Sequence, residues 1–347
     1  MSGGTLPDPI LIWGAGAIGG SLGAAFLRAG REVVFVDAEA AHVDAIRARG
    51  LRIEGPLWTG TVEASAVTPA GLTGRFGTVF LCVKALHTGG AIRQLAPHLA
   101  AEGAVVSAQN GLNELEIAEV VGRGRTVGCF VNFGADYLEP GVVHLSGRGA
   151  VVVGELDGAR TPRVEAIHGL LATFDPAAVL TDNIWGFLWG KLVYGALLFA
   201  TALTDESIAD VLEAPGCRAI LARLGQEVGR VAAAEGIRPM PFDGFDPAAF
   251  APGAGQAALD RSFADMVAHN RRSAKSHSGI WRDLAVRRRK TEAGAQLGPI
   301  IAAGARHGVP TPVTARILAM IREIEDGRRP LAMSNLAELA QDVELAA

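Results

Sequence analysis

Four apolar residues, Ile10–Trp13, run straight into Gly14-Ala15-Gly16-Ala17-Ile18-Gly19, and an Ala- and Leu-rich stretch follows to Arg28. No other stretch constrains the fold as strongly. It reads as strand, glycine turn and helix, and each glycine has its own task. Gly14 lets the chain turn, Gly16 lets a phosphate approach the backbone, and Gly19 lets the helix pack onto the strand. The amides of the first helical turn, around Ala17 and Ile18, lack intrahelical partners and lie at the positive end of the helix dipole, which suits a pyrophosphate. The next strand, Glu32–Val36, ends in Asp37, at the distance where an acid accepts from a ribose 2'-hydroxyl. A glycine motif alone is weak. With strand, helix, strand and acid in this order it predicts a dinucleotide-binding α/β domain with a doubly wound, Rossmann-type sheet. Asp37 favours NAD(H) over NADP(H), since a carboxylate repels a 2'-phosphate and the nearest basic residue, Arg31, precedes the strand. The alternative for Asp37 is that it caps the following helix, Ala38–Arg49.

Further strands are expected at Thr78–Val83, a continuous apolar run of the kind buried in a parallel sheet, and at Ala104–Ser107. The first ends at Lys84 and the second at Gln109-Asn110-Gly111. Ligands of open parallel sheets lie at the carboxyl ends of strands, which makes Lys84 and Asn110 candidates for contact with a cofactor. The plain alternatives are a solvated loop lysine and an Asn-Gly turn. Helices are expected at Thr88–Leu99 and Leu112–Val120. From Thr126 the pattern changes to strands joined by Gly/Pro turns, Thr126–Phe133, Val142–Leu145 and Ala150–Val153, read as antiparallel pieces closing the sheet. A helix at Arg160–Phe174 and a hinge at Asp175–Thr181 complete a first domain, residues 1–178.

The second domain, residues 179–347, reads as all helix. It opens on Asp182–Asp205, DNIWGFLWGKLVYGALLFATALTD, apolar on nearly every side with one ammonium group, Lys191, near its centre. A helix apolar all round is normally buried. A lysine there needs a partner or gives up its proton readily, because burial disfavours the charged form; this makes it a candidate proton donor. The alternative is a lysine that snorkels along its own stem to solvent. Trp185 and Trp189 are expected in the core. The Pro-, Gly- and Phe-rich stretch 238–255 reads as an irregular loop and a candidate lid. The basic segments 270–283 and 287–290 read as solvated surface that raises the local potential.

Composition narrows the function class. A net charge of −4 on 347 residues argues against nucleic-acid binding. Cys82, Cys129 and Cys217 are dispersed and form no CxxC pattern, which predicts a reduced, cytoplasmic setting and no metal site. The first residues, MSGGTLPDPI, lack a basic and an apolar region, so no signal peptide is expected. The apolar run Leu192–Leu203 is shorter than the roughly 20 residues that span a bilayer, so no membrane partner is expected.

The chain resembles the ketopantoate reductase family (2-dehydropantoate 2-reductases, the PanE/ApbA type). The resemblance rests on an ordered set: GAGAIGG at 14–20, Val83-Lys84, QNG at 109–111, FGADYLEPGVVHLSG at 133–147, GELDG at 154–158, Trp189-Gly-Lys-Leu192, LTDESIADVL at 203–212, Thr291-Glu292 and GVPTP at 308–312. It implies NAD(P)H-dependent reduction of a 2-keto acid to a 2-hydroxy acid, the step used in pantothenate biosynthesis, with the substrate against the helical domain. It places the catalytic lysine on Lys191 and its partner glutamate, also near the cofactor, on Glu292. It places the lysine near the cofactor on Lys84, and an asparagine that meets cofactor and substrate on Asn110. Departures accompany it. The family's asparagines on the lysine's helix, which hold the substrate's hydroxyl and carboxylate, are replaced by Gly195 and Phe199. The serine-bearing segment before the glutamate has a longer spacing, and Ser278 is its nearest serine. An apolar pocket does not require a hydroxyl on its substrate, so a more apolar 2-keto compound is expected. An opine-like or hydroxyacid dehydrogenase acting on another carbonyl or imine is a rival reading, and a non-catalytic NAD-binding sensor is another. The apolar C-terminal helices would also suit a homodimer.

Overall fold

The computed structural model describes residues 6–272 and 276–345, so the expectations for residues 1–5 and for 273–275 of the basic segment lie outside the described residues. The chain forms two compact units, Met1–Ile184 and Trp185–Ala347. In chain order the first contains β1 (Ile10–Trp13), α1 (Ala17–Arg28), β2 (Val33–Val36), α2 (Ala40–Arg49), β3 (Leu51–Glu54), β4 (Gly60–Val62), β5 (Ser65–Val67), β6 (Phe76–Leu81), α3 (Thr88–Leu95), β7 (Leu99–Ser107), α4 (Asn113–Val121), β8 (Thr126–Val131), β9 (Gly134–Glu139), β10 (Val142–Gly147), β11 (Val151–Glu155), α5 (Pro162–Phe174) and β12 (Val179–Leu180).

These strands make an eight-stranded sheet in the order β12-β11-β8-β7-β6-β1-β2-β5. All its pairings are parallel except β8 with β11. Period-two alternation divides β1 between two cores. Ile10 and Ile12 join one apolar cluster with Leu22 and Phe26 of α1 and Val164 and Ile167 of α5. Leu11 and Trp13 join another with Ile92 of α3 and Ile117 of α4. Both faces are covered, and this explains why the strands read as unbroken apolar runs. The α/β expectation is therefore met by a doubly wound sheet, with the chain leaving β1 first toward β2 and β5 and then crossing to β6, β7 and β8. The carboxyl ends of β1, β2 and β6 meet at that reversal, where ligands of such sheets bind.

In the first unit two expectations change. Val142–Leu145 does not close the main sheet; it belongs to β10 in a second, four-stranded sheet of order β4-β3-β10-β9. The stretch 175–181, expected as a hinge, carries β12, which pairs parallel with β11 at the sheet edge.

The second unit is helical, as expected: α6 (Ile184–Thr201), α7 (Ile208–Glu213), α8 (Pro215–Ala234), α9 (Gln256–Arg272), the single turn α10 (Gly279–Trp281), α11 (Ala293–His307), α12 (Pro312–Glu325) and α13 (Ser334–Leu345). A π-helical turn spans Arg282–Val286. By length and composition α6 could cross a membrane, but most of it is buried inside the protein, as in a core helix. Stretch 238–255 is not a loose lid. Phe242, Phe245 and Phe250 are buried, and ring contacts link them to Tyr194 of α6 and Phe263 of α9 at centroid distances of 5.1–6.2 Å.

Candidate active site

In the first unit the strand ends are tied to one another by hydrogen bonds. Gly14 has φ +98°, and a Cβ there would lie 2.8 Å from Val83 N. Only glycine fits this turn. At Gly19 a Cβ would come within 2.7 Å of Ile12, so the close approach of α1 to β1 depends on its absence. At Gly16 nothing lies within 4 Å of where a Cβ would stand. Gly16 caps α1 without a side-chain acceptor, and no acidic residue lies in the first turn. Open space, helix amides without side-chain caps and the positive dipole end coincide at Gly16, Ala17 and Ile18.

Asp37 is fixed from both sides. Its Oδ2 accepts from Ala15 N at 2.8 Å, and its Oδ1 accepts from Glu39 N at 3.0 Å. It does not cap α2, whose N-cap is Glu39. At the ends of β6 and β7, Gln109 Nε2 donates to Val83 O and to Thr88 Oγ1, both at 2.8 Å. Thr88 Oγ1 donates to Asn113 Oδ1 at 2.9 Å, and Asn113 Nδ2 donates to Asn110 O at 2.7 Å. This chain of bonds holds the loops bearing Lys84 and Asn110. Gly111, at φ +103°, makes the turn between Asn110 and α4.

In the second unit α6 is buried on most sides. Its half-buried positions Phe187, Lys191, Tyr194, Gly195 and Leu198 form one stripe at helical spacing; Trp185, expected in the core with buried Trp189, is half-buried on another side near the helix start. Lys191 lies on this stripe and is held by a neighbouring interaction. Phe199, expected to line the substrate site, lies off the stripe and is fully buried. Its ring is a core side chain that a ligand could reach only by displacing the packing; Leu198 occupies the accessible position. Glu292 is half-buried, engaged with a neighbour, and is the N-cap of α11. The loop before it is strapped down. Thr291 N and Oγ1 both donate to Glu325 Oε1 at 2.7 Å, and buried Asp283 accepts from Arg287 and Arg289 at 3.1 and 2.9 Å. Ser278 is buried and its Oγ accepts from Trp281 N as the cap of α10.

The amino-terminal ketopantoate reductase PanE/ApbA family model matches residues 10–158, and the family's C-terminal model matches residues 183–325. This chain belongs to the ketopantoate reductase PanE/ApbA family. A 2-dehydropantoate 2-reductase of Archaeoglobus fulgidus is 30% identical over 322 residues, covering 92% of this chain and 98% of its own length. One from Halobacterium salinarum is 28% identical over 317 residues, covering 90% and 97%. A PanE/ApbA family ketopantoate reductase structure from Ralstonia eutropha JMP134 superposes with a TM-score of 0.78 at 28% identity, covering 92% of this chain and 99% of that one. The chain is accordingly an oxidoreductase of this family.

Several residues that serve the PanE/ApbA glycine loop were not singled out in the sequence. Buried His42 of α2 bonds Ala15 O through Nε2 at 2.9 Å and accepts from Gly141 N through Nδ1 at 2.9 Å. That acceptance fixes the neutral tautomer with the proton on Nε2. His42 thus ties the glycine loop to the β9–β10 turn of the second sheet, and its ring packs edge-on against Tyr137 at 5.0 Å. Burial raises the Tyr137 phenol above its usual range, and Glu39, Asp37 and Glu139 add to the effect. Thr88 and Asn113 were likewise missed. A histidine in AAHVDAIRAR reads as one more polar helix residue, and its partner Gly141 is 99 positions away.

Proposed function

We propose that this chain reduces a 2-keto acid to the 2-hydroxy acid with NAD(P)H, Lys191 giving the proton. One observation carries the reading: within a family of ketopantoate reductases, the ammonium of Lys191 sits on the accessible stripe of an otherwise buried, apolar helix. The first unit offers a fitting place for a dinucleotide at Gly14, Gly16, Ala17, Ile18 and Gly19, with Asp37 for the ribose hydroxyls and Lys84 and Asn110 on the neighbouring strand ends. A bound reduced nicotinamide supplies the hydride. As the carbonyl carbon accepts it, the C=O electron pair moves onto oxygen, and Lys191 Nζ donates its proton there. A positioned acid of this kind contributes about 10²–10⁴-fold in rate. Glu292 holds the ammonium and offsets its desolvation. Asp37, already aimed at the loop by its bond to Ala15 N, supports NADH as the preferred donor.

A second reading, a more apolar carbonyl or imine substrate, draws on Gly195 standing where the family has an asparagine and on Leu198 occupying the stripe. The deciding experiment is the initial rate of NADH and of NADPH oxidation with ketopantoate, for wild type and Lys191→Ala. Wild type is expected to turn over faster with NADH. The variant is expected to lose about 10²–10⁴-fold in kcat while still quenching NADH fluorescence on binding. A variant that kept its turnover would remove Lys191 from the reaction, and a clear NADPH preference would remove Asp37 as the selector.

A further inference from the structure

Gly195 lies in the interior of α6, where glycine costs up to about 1 kcal/mol relative to alanine. Close packing does not explain it: a Cβ at Gly195 would meet only Gln296 Oε1, at the ordinary contact distance of 3.7 Å. The glycine leaves a ledge, and the side-chain amide of Gln296, reaching across from α11, stands over it. Gln296 is half-buried, and among the described residues its amide has no hydrogen-bond partner. A half-buried amide with no protein partner is left to solvent or to a ligand, and is available to a polar group brought into the site. Its place matters as well. Gly195 is four residues after Lys191 on the accessible stripe, and Gln296 is four residues after Glu292, with its own N–H bonded to Glu292 O. Residues so spaced are about 5–6 Å apart on one helix face, so the amide lies one turn from each member of the proposed catalytic pair.

We infer that Gln296 reads a hydroxyl on the substrate's side chain, having taken over from α11 the amide that Gly195 leaves missing on α6. The inference rests on the activity proposed above and adds to it a specificity-determining residue, Gln296. Loss of an asparagine on one helix is then a relocation of the polar group and not a change to an apolar pocket.

The test compares ketopantoate with 3,3-dimethyl-2-oxobutanoate, which lacks the hydroxyl, with NADH, in wild type, Gln296→Leu and the relocated pair Gly195→Asn/Gln296→Leu. Leucine keeps the bulk and the helix propensity of position 296, and Gly195 has room for a side chain once the amide is gone. Wild type is expected to favour ketopantoate in kcat/KM by about 10- to 100-fold, the usual worth of a buried hydrogen bond in discrimination. Gln296→Leu is expected to erase the preference through a higher KM for ketopantoate, leaving kcat/KM for the hydroxyl-free acid unchanged. The relocated pair is expected to restore it in part. Equal use of the two acids by wild type, or a preference that survives Gln296→Leu, would overturn the inference alone. No turnover of either acid by wild type would overturn the proposed activity, and this inference with it.

Discussion

At the scale of single residues, the least conspicuous polar side chain has the clearest consequence. Glu114, in the first turn of α4, is fully buried, and among the described residues neither carboxylate oxygen has a hydrogen-bond partner. Burial pushes its carboxyl from 4.5 up to about 8; its own amide and the nearby Ser107 hydroxyl oppose the shift without overcoming it. Folded protein therefore holds a proton between pH 4.5 and about 8 that the unfolded chain has lost. The contribution of Glu114 to stability accordingly falls as pH rises through that window, by at most about 1.4 kcal/mol per unit, and levels off above it. Glu114→Gln, which keeps the shape and removes the charge, is expected to flatten this slope in urea unfolding at pH 5, 6, 7 and 8.5. Parallel profiles for the two proteins would show that Glu114 does not titrate there. Nothing in LNELEIAEV distinguishes Glu114 from the exposed Glu116 two places on. Asp37 and the glycines were legible because their tasks are local to one βαβ unit; Glu114 and His42 were not, because their environments are assembled by other strands.

At the scale of elements, α12 shows how a helix start can depend on a distant side chain. Pro312 opens it and Thr311 offers no side-chain cap. The acceptor comes instead from α8: fully buried Glu227 takes Val313 N at 3.0 Å through Oε1, and Thr314 N and Oγ1 at 2.9 Å through Oε2. Removing it leaves two backbone amides and a hydroxyl buried without acceptors. Glu227→Ala is expected to cost about 2–4 kcal/mol in chemical denaturation, and Glu227→Gln, which retains one oxygen, distinctly less. Equal losses would mean that packing volume, not the acceptor, holds the helix start. The helices were readable from sequence nearly to their ends, as the expected Leu112–Val120 and Arg160–Phe174 show against Asn113–Val121 and Pro162–Phe174. The short strands β3, β4, β5 and β9 were not. Leu51–Glu54 is too brief to declare itself, and it becomes a strand by pairing with Val142–His144 some 90 positions later.

At the scale of the whole molecule, the stretch after Gly327 shows which forces hold a terminus. It forms α13, with Leu336 and Leu339 buried beneath it. Arg329 reaches Glu323 at 2.6 Å and Glu338 at 2.8 Å, and Arg316 binds Glu323 and Asp342 at 3.2 and 2.6 Å. Glu338 and Asp342 are well exposed, and exposed ion pairs contribute at most about 1 kcal/mol. A buried leucine contributes more. Leu339→Ala is expected to cost about 2–5 kcal/mol and Glu338→Ala less than about 1 kcal/mol, compared by thermal unfolding; the reverse order would make the charge network the principal tie. The same division runs through the protein. Features set by neighbours in the chain were determined by sequence alone: the glycine loop, Asp37 at the end of β2, the apolar helix around Lys191, and the order of a Rossmann half before a helical half. Backbone sterics and side-chain periodicity act over a few residues. Only the tertiary structure turned Phe199 into the core, put Leu198 and Gly195 on the accessible stripe, brought Gln296 over that glycine, and joined His42 to Gly141. Burial and hydrogen bonding between distant segments exist only once the chain is packed.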